Sequence, residues 1–343
     1  MRSAILAAIV VAAAATFSTG VARADDAPAA TVPNAAGATA WRDCAPPCGD
    51  PCRRSSFEIQ GHASLLTPSP EGIVTFDAGQ TDPVTWDSLD YDWVGGGRAV
   101  WSFPVCSWTA RLGGTYWGQW EAADSVTGTI AVGAVAVNGT PAISPPFLCN
   151  LESEATLWGL DAALVHPCIC TECLETAWGF GLRYMQFKEQ STLTVPPPAQ
   201  ATPAIAEGDT ENGLLAAQLV GEWTRHLTSC WDLRARAAVF GGWLHRKVDV
   251  TITDFFGAGT KPTQSAEDDS FGFGAELEVS VGWHPCGNWT VRLGYGGLLM
   301  TGIARGDESM DFSNTLTTTL VAPQFGDEAI LAHRFFVGVS WDF

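Results

Sequence analysis

Lysine, long apolar runs and helical periodicity are all scarce in this 343-residue chain. Only 3 lysines accompany a formal net charge of −19, and nucleic acid or anionic headgroups as main partners would need basic patches. Beyond residue 24 the longest apolar run is 9 residues, 129–137, whereas a membrane helix needs roughly 18. A disordered acidic chain is also excluded, because 46% of the residues are apolar and 15 are Trp.

Residues 1–24 predict a signal peptide for export. Arg2 supplies the charged start, an apolar run extends from Ala4 to Phe17, and Ala22-Arg23-Ala24 forms a small-x-small cleavage site. The alternative, an N-terminal anchor, is disfavoured because the run is too short to span a bilayer. Cleavage would take the formal charge from −19 to −21, since two arginines leave. Residues 25–56, rich in Ala, Pro, Asp and Gly, predict a disordered periplasmic tail.

From residue 57 to residue 343 the pattern has a period of two, which is typical of β-strands. In the stretch 271–283, Phe, Ala, Leu, Val and Trp alternate with Gly, Glu and Ser, so one face is apolar and the other is small or charged. Ten such strands are predicted, at 57–66, 87–103, 107–121, 151–165, 175–190, 213–226, 231–247, 270–284, 289–303 and 329–343. Twelve result if the segments 129–137 and 316–321 add a hairpin.

The connectors alternate in length along the chain. Four are short, 104–106, 166–174, 227–230 and 285–288, and five are predicted to have 20 residues or more, 67–86, 122–150, 191–212, 248–269 and 304–328. Short periplasmic turns and long external loops are typical of outer-membrane barrels. The sequence therefore predicts an all-β, transmembrane, antiparallel up-and-down β-barrel. A soluble secreted sandwich is the alternative fold.

Tryptophans and the C-terminus support the same fold. Trp101 with Trp108, Trp223 with Trp231, and Trp283 with Trp289 flank short turns, as expected of a girdle at a membrane interface. The chain ends in an alternating strand that finishes on phenylalanine, which is similar to the C-terminal signal read by the barrel-assembly machinery. We expect that machinery and outer-membrane lipid as partners. The residues of this signal are Phe335, Val337, Val339, Trp341 and Phe343.

Four short segments suggest a family. They are Gly181-Leu-Arg-Tyr184, 212–223 with Ala217-Gln218-Leu219, Trp231-Asp-Leu-Arg234, and 288–300 with Trp289-Thr-Val-Arg-Leu-Gly-Tyr295. They resemble the β-barrel porins of planctomycete-type bacteria and the related Legionella-type pore-forming outer-membrane proteins. The resemblance covers residues 57–343. It implies an outer-membrane barrel with pore activity, and it supplies no catalytic residue.

Charged residues of the predicted strands fall on the inward face. The expected lining of the lumen is Arg98, Arg111, Arg183, Arg234, Arg236, Arg292, Arg334, Glu222, Glu276 and Glu278, with Glu58, Asp161 and Asp232 on the same face. Folding about the short turns predicts Glu222 beside Arg234 and Arg236, and Arg292 near Glu278. Two interpretations stay open. The charges line a water-filled channel and set its selectivity, with a cationic constriction, or they fill a narrow barrel without an open pore.

Most of the 10 cysteines fall at one end of the predicted barrel. In an exported chain they favour disulfides over metal ligation. Nine at one end is an odd number, so one is left either as a free thiol or to bridge to another envelope protein. The connectivity cannot be read from the sequence. The candidates are Cys44, Cys48, Cys52, Cys106, Cys168, Cys170, Cys173, Cys230 and Cys286, while Cys149 lies in a long loop.

The sequence predicts no enzyme, no cofactor and no metal. It contains no Gly-x-Ser-x-Gly elbow, phosphate loop or two-histidine zinc motif. Only His245 approaches the outer rim, and the pair Asp90-x-Asp92 is typical of a solvated strand end. The predicted loops are acidic, which indicates a hydrated surface. The sequence thus favours a porin for small hydrophilic solutes or ions, and the alternative is a closed structural or adhesive barrel that binds envelope components.

Overall fold

The computed structural model describes residues 55–67, 73–74, 84–85, 89–128, 147–170, 173–195, 203–253, 263–285, 288–306, 310–311, 322–323 and 325–343. The predicted signal peptide and nearly all of the predicted tail lie outside these residues. So do the two segments, 129–137 and 316–321, that were predicted to add a hairpin. Within the described part of the chain, no helix is long and apolar enough to span a membrane.

Ten antiparallel strands close into a barrel, as predicted. Each strand pairs with its neighbours in the chain, and the first and last strands close the ring with Ser56 opposite Asp342 and Leu66 opposite Ala332. Two short ladders, Ile73–Val74 with Val84–Thr85 and Met310–Asp311 with Ala322–Pro323, lie outside the ring. The barrel strands are β1 (Ser56–Leu66), β2 (Val94–Val105), β3 (Trp108–Gly128), β4 (Phe147–Cys170), β5 (Leu174–Val195), β6 (Ala204–His226), β7 (Trp231–Thr253), β8 (Gln264–Trp283), β9 (Trp289–Ile303) and β10 (Glu328–Asp342).

The connections alternate in length, although two of the predicted long loops are mostly strand. Residues 106–107, 171–173, 227–230 and 284–288 form the connections at what we call the short-turn end. At the opposite, long-connection end, β5 and β6 are joined by residues 196–203 and β7 and β8 by residues 254–263. The prediction of loops over the whole of 191–212 and 248–269 was therefore wrong. Their acidic residues suggested loops, but these residues alternate with buried ones and continue the strands.

The outer face of the barrel is apolar between two aromatic girdles. At the short-turn end Trp108 lies 5.7 Å from Trp178, and Trp283 lies 6.2 Å from Trp289, between ring centroids. This confirms the predicted girdle. A second girdle, which the sequence analysis missed, faces the long-connection end and consists of Trp93, Tyr116, Trp158, Tyr184, Trp243, Tyr295 and Phe335. Leu, Ile, Val and Phe side chains between the girdles are exposed to the lipid.

Beyond the second girdle, β3 to β8 continue as what we call the projecting wall, residues 119–128, 147–156, 186–195, 204–213, 245–253 and 264–269. Its outer face is polar and mostly acidic, with Glu121, Glu154, Asp209 and Glu267 among its side chains. Its inner face is buried on β3 to β7 and half-buried on β8. Lipid no longer solvates the outer face at this level, which explains why the outward residues change from apolar to charged while the alternation persists.

A β-bulge reverses the pattern of β3. The register shifts between Tyr116 and Gly118, and Gly118 has a φ of 136°. Before the bulge even-numbered residues face outward, and after it Gln119 and Glu121 do so. Trp117 already faces inward by the earlier alternation, and the shift turns Trp120 inward as well, so that both are buried. The extra residue of the bulge is what allows Trp120 to enter the interior beside Trp117.

Candidate functional site: the barrel interior

All ten predicted lumen residues lie inside the barrel, between the two girdles, where they form ion pairs. We call this group the central charge layer: Arg98, Arg111, Arg183, Arg234, Arg236, Arg292, Arg334, Glu58, Asp161, Glu222, Asp232, Glu276 and Glu278. Period two placed every one of these side chains on the correct face. Seven arginines meet six carboxylates in this layer, so most of the positive charge predicted for a constriction is paired.

One part of the layer lies toward the short-turn end and is centred on Glu222. Arg111 contacts Glu222, and Arg234 and Arg236 approach its Oε1 to 3.4 Å and 3.5 Å. Arg234 also reaches Glu58 at 3.5 Å, and Arg236 reaches Asp161 at 3.7 Å. The predicted neighbourhood of Glu222, Arg234 and Arg236 is therefore confirmed. Three arginines and three carboxylates balance here.

Arg292 was predicted to lie near Glu278, but its ion-pair partner is Asp232. It donates two hydrogen bonds to Asp232, at 2.8 Å and 3.2 Å, and Asp232 also contacts His284 at 2.6 Å. The register explains the difference, because Arg292 lies opposite Gly282 whereas Glu278 lies opposite Gly296. Glu278 instead pairs with Arg98 and Arg334, from strands β2 and β10.

The remaining part of the layer combines three arginines with two glutamates. Arg183 pairs with Glu276 at 2.8 Å, Arg98 pairs with Glu278 at 3.0 Å, and Arg334 pairs with both glutamates, at 2.8 Å and 2.9 Å. The Arg334 guanidinium lies 4.5 Å from the ring centroid of Trp117. Such contacts favour a desolvated cation. Arg334 is completely buried.

The interior changes character toward the long-connection end. Beyond the central charge layer, what we call the apolar plug fills the barrel, with buried Trp120, Leu157, Phe187, Leu214 and Leu298 among its members. Two connecting segments contribute to it. Leu89 and Tyr91 precede β2, and Ile303 and Ala304 end and follow β9. Sequence reasoning missed the plug because it expected the inward residues to be small or charged.

Polar side chains hold these two segments against the projecting wall. Arg305 donates to both carboxylate oxygens of Glu189, at 2.6 Å and 3.0 Å, and the Tyr91 hydroxyl donates to Glu189 at 2.8 Å. Asn212 bonds both the N–H and the C=O of Ala304, each at 2.8 Å. The start of the β9–β10 connection is therefore tied to β5 and β6.

The charges around Glu189 alter its acidity. Burial acts to raise the pKa of Glu189, but Arg305 and the hydrogen bonds from Gly306 and Tyr91 outweigh it, so that the pKa lies below its ordinary value. Burial and the neighbouring Glu189 carboxylate raise the pKa of Tyr91 well above its usual range. Glu189 is therefore an anion and Tyr91 a neutral donor at physiological pH.

A second arginine holds the other end of the same connection. Arg246 contacts Asp268, pairs with Asp327 at 2.6 Å, and donates to the carbonyl oxygens of Gly302 and Gly326, at 3.3 Å and 3.1 Å. Its guanidinium also lies 5.3 Å from the centroid of Phe325. Both described ends of the β9–β10 connection are thus fixed to the inside of the wall.

The cysteines and the residues considered for catalysis lie elsewhere. Cys106, Cys149, Cys168, Cys173 and Cys230 are free thiols in the described part of the chain, so the disulfides stay a prediction. Cys44, Cys48, Cys52 and Cys286 lie outside the described residues, and the side chain of Cys170 does too. His245 pairs with Asp269 on the outer face of the wall. Among the described residues no group of three or more His, Cys, Asp or Glu could hold a metal ion.

A closed ring of ten antiparallel strands, with an apolar belt, two aromatic girdles and a charged interior, defines a transmembrane β-barrel of the outer-membrane class. Solved structures similar to it include the outer membrane protease OmpT from Escherichia coli, at 6% identity and a TM-score of 0.45 over 84% of this chain and 96% of that chain. A major outer membrane protein from Thermus thermophilus has 12% identity and a TM-score of 0.31, over 84% and 99%. The P. putida toluene transporter TodX has 10% identity and a TM-score of 0.28, over 84% and 89%.

These likenesses concern the fold alone, and the assignment to a membrane depends on this chain's own belt and girdles. No protein-family model matches the chain, and no curated protein matches it. The class of the protein is therefore defined, and its solute or ligand has to be inferred from the interior.

Proposed function

We propose that the protein is an outer-membrane channel for small hydrophilic solutes or ions, shut in the state described here by the central charge layer and the apolar plug. The observation that carries this proposal is the contrast between the two. The same barrel fills one level with apolar side chains and another with thirteen charged ones.

Closure alone would not require the charges. Replacing a buried ion pair by well-packed apolar residues is often neutral or stabilising, and the plug shows that this sequence can pack the interior with leucine, methionine and tryptophan. Arginines and carboxylates at the level of the bilayer instead provide polar partners that a solute or ion can exchange for its hydration shell. The layer therefore has the chemistry of a selective passage.

The proposal includes an orientation. We propose that the short-turn end and both termini face the periplasm, and that the projecting wall is external. Short periplasmic turns and long external connections support this orientation. Membership of the porin family resembled in the sequence, recognition of the strand ending at Phe343 by the barrel-assembly machinery, and cysteine links to other envelope proteins are parts of the same proposal.

Single-channel recording in planar bilayers tests the channel. We expect rare conductance steps from the unaltered barrel, and a higher open probability from Glu278→Gln, because the layer then loses the anion that joins Arg98 and Arg334. Glu154→Gln is the control, since Glu154 is an exposed carboxylate on the outer face of the wall. Arg98→Gln serves if Glu278→Gln does not fold.

A permanently closed structural barrel is the second candidate, and the apolar plug favours it. Both anchored segments fill the interior with side chains that are almost fully buried. This candidate predicts that folded protein and both layer variants give no steps at any voltage the bilayer tolerates. That result would remove the channel proposal, while heat-dependent mobility in gels would still confirm that a folded barrel was present.

A further inference from the structure

One carboxylate of the projecting wall is buried as deeply as those of the central charge layer. Glu189 on β5 is 2% exposed. In the described part of the chain, the other carboxylates with less than a tenth of their surface exposed all belong to the central charge layer. A carboxylate in such a position needs a hydrogen-bonded counter-charge. What supplies that charge to Glu189 is therefore informative.

The counter-charge is an arginine from a connection. Arg305 follows the end of β9 and approaches Glu189 with two donors, Nε at 3.0 Å from Oε2 and Nη2 at 2.6 Å from Oε1. Nη2 also donates to the hydroxyl of Tyr91 at 3.3 Å. Two N–H···O bonds of this kind match the planar fork of a guanidinium group to a carboxylate. The site therefore has the geometry of a guanidinium-binding site.

The walls of this site belong mainly to paired strands. We define the Glu189 pocket by Glu189 and Ser191 on β5, Ser153 on β4, and Tyr91 before β2. The Tyr91 hydroxyl lies 2.8 Å from Ser153 Oγ, and the two serine hydroxyls lie 3.5 Å apart. At this level β5 pairs with β4 on one side and with β6 on the other. The strand residues of the pocket thus keep their places whether or not the connection is docked.

The occupant is held by the close fit of its neighbour. Gly306 donates its N–H to Glu189 Oε2 at 2.9 Å. A Cβ at Gly306 would lie 2.7 Å from Ser191 Oγ and 3.0 Å from the carbonyl oxygen of Gly208. A side chain at position 306 would therefore push the connection away from the wall and leave the four pocket residues unaltered. The presence of Arg305 in the pocket depends on a segment that is separate from the pocket itself.

We propose that the Glu189 pocket binds a small organic cation with a guanidinium group, and that Arg305 occupies it as an internal competitor in the shut barrel. A free guanidinium group offers the same fork and the same charge, so that Glu189 stays paired when one replaces the other. The exchange releases the start of the β9–β10 connection from the apolar plug. The inference names a solute class for the proposed channel, so its meaning for transport rests on that proposal, whereas the binding does not.

Methylguanidinium is the probe, and removal of the competitor is the test. Arg305→Ala empties the pocket but keeps its four side chains. Replacing sodium chloride by methylguanidinium chloride at constant ionic strength should raise the unfolding temperature of this variant, in detergent, in a saturable way. The unaltered protein should bind about tenfold or more weakly, which is the factor expected when an internal competitor fills a site in about 90% of the molecules.

Control variants identify the pocket as the origin of the response. Arg246→Ala removes another buried arginine of the same plug, but its partners Asp268 and Asp327 have side chains that are 41% and 81% exposed. An equal saturable response in Arg246→Ala and Arg305→Ala would overturn the inference. Adding Glu189→Gln to Arg305→Ala should abolish the response, and a response that persists would have the same consequence.

Two further measurements test the competitor and the ligand class. Gly306→Ala keeps Arg305 but displaces it, so this variant should bind methylguanidinium more tightly than the unaltered protein does, and it serves if Arg305→Ala does not fold. Methylammonium has the same charge without the planar fork and should stabilise Arg305→Ala less. Equal effects of the two cations would refute guanidinium as the ligand class.

Bilayer recording separates this inference from the proposed channel. Methylguanidinium in both chambers should raise the open probability of the unaltered barrel. Saturable binding without any conductance steps would reject the channel and keep the pocket. Conductance steps that methylguanidinium does not alter, together with no binding by Arg305→Ala, would keep the channel and reject the pocket.

Discussion

At the scale of single residues, small side chains decide which charges can meet. Asp232, Gly282 and Arg292 lie opposite one another on β7, β8 and β9. Because the middle position is glycine, Asp232 and Arg292 reach each other over it, and a Cβ at Gly282 would lie 2.5 Å from Asp232 Oδ1 and 2.9 Å from Arg292 Nη1. The ion pair thus skips a strand. A sequence pattern predicts the face on which each residue lies, but it does not predict an ion pair between strands that are not adjacent.

Removing the carboxylate of Asp232 should be costly. Asp232→Asn leaves Arg292 buried without its counter-charge, and breaking a buried pair in this way typically costs about 3–5 kcal/mol. Equilibrium unfolding in urea with lipid vesicles measures the change. Glu175→Gln is the control, because Glu175 pairs with His226 at 3.3 Å in a partly exposed position, where a pair contributes about 1 kcal/mol or less. Equal losses of unfolding free energy in the two variants would refute the assignment of Asp232 as the buried counter-charge of Arg292.

At the scale of strands, the bulge of β3 determines what the interior contains. Gly118 combines a φ of 136° with a position where an added Cβ would collide with Val94. The bulge turns Trp120 inward beside Trp117, and Trp117 packs on Arg334. A single irregular residue therefore joins the central charge layer to the apolar plug.

Gly118→Ala should destabilise the barrel by about 1–3 kcal/mol, because alanine disfavours this backbone conformation and has no room for its methyl group. Gly61→Ala is the matched control, since a Cβ at Gly61 on β1 meets nothing within 4 Å. Unfolding in urea, together with the tryptophan emission spectrum, distinguishes the two. A Gly118→Ala barrel as stable as the control would show that the bulge is dispensable.

The anchored start of the β9–β10 connection should respond to acid. The pKa of Glu189 is lowered by Arg305, so the stabilisation is complete above the ordinary glutamate value of about 4.3 and is lost as the pH falls through the lower folded value. Amide exchange at residues 303–306 should therefore accelerate at acidic pH, after correction for the intrinsic rate. Glu189→Gln should exchange fast at neutral pH as well. If the variant keeps the pH-dependent step, another group is responsible.

At the scale of the whole molecule, period two was sufficient to predict ten strands, the lipid-facing belt and the inward arginines. The same period failed to predict the strands of the projecting wall, where the outer face is exposed to water and no longer to lipid. Ala206, Thr210 and Asn212 are buried inside the wall, but their outward neighbours Glu207 and Asp209 resembled a loop. The pairings across the lumen, such as Arg98 with Glu278 from β2 to β8, also could not be predicted, because the cross-section of the closed barrel decides them.

The scarcity of lysine makes the orientation testable. Lys188 and Lys247 are on the outer face of the projecting wall, and Lys261, which lies outside the described residues, belongs to a connection at the same end. A membrane-impermeant amine reagent should label the folded protein on intact cells if the wall is external. Labelling only after the outer membrane is permeabilised would reverse the orientation. Lys188→Arg with Lys247→Arg tests how much of the signal comes from the wall.

The interior divides into a charged level within the bilayer and an apolar level beyond it, and neither level touches lipid. The bilayer acts as solvent for the outer belt only, because the described side chains of the two inner levels face away from it and pack against one another. The membrane dependence of this protein is therefore confined to its belt side chains, such as Leu160, Leu182 and Leu219, which are all more than half exposed. Exchanging those side chains for polar ones, with the interior unchanged, should convert the barrel into a water-soluble protein that keeps the same internal chemistry.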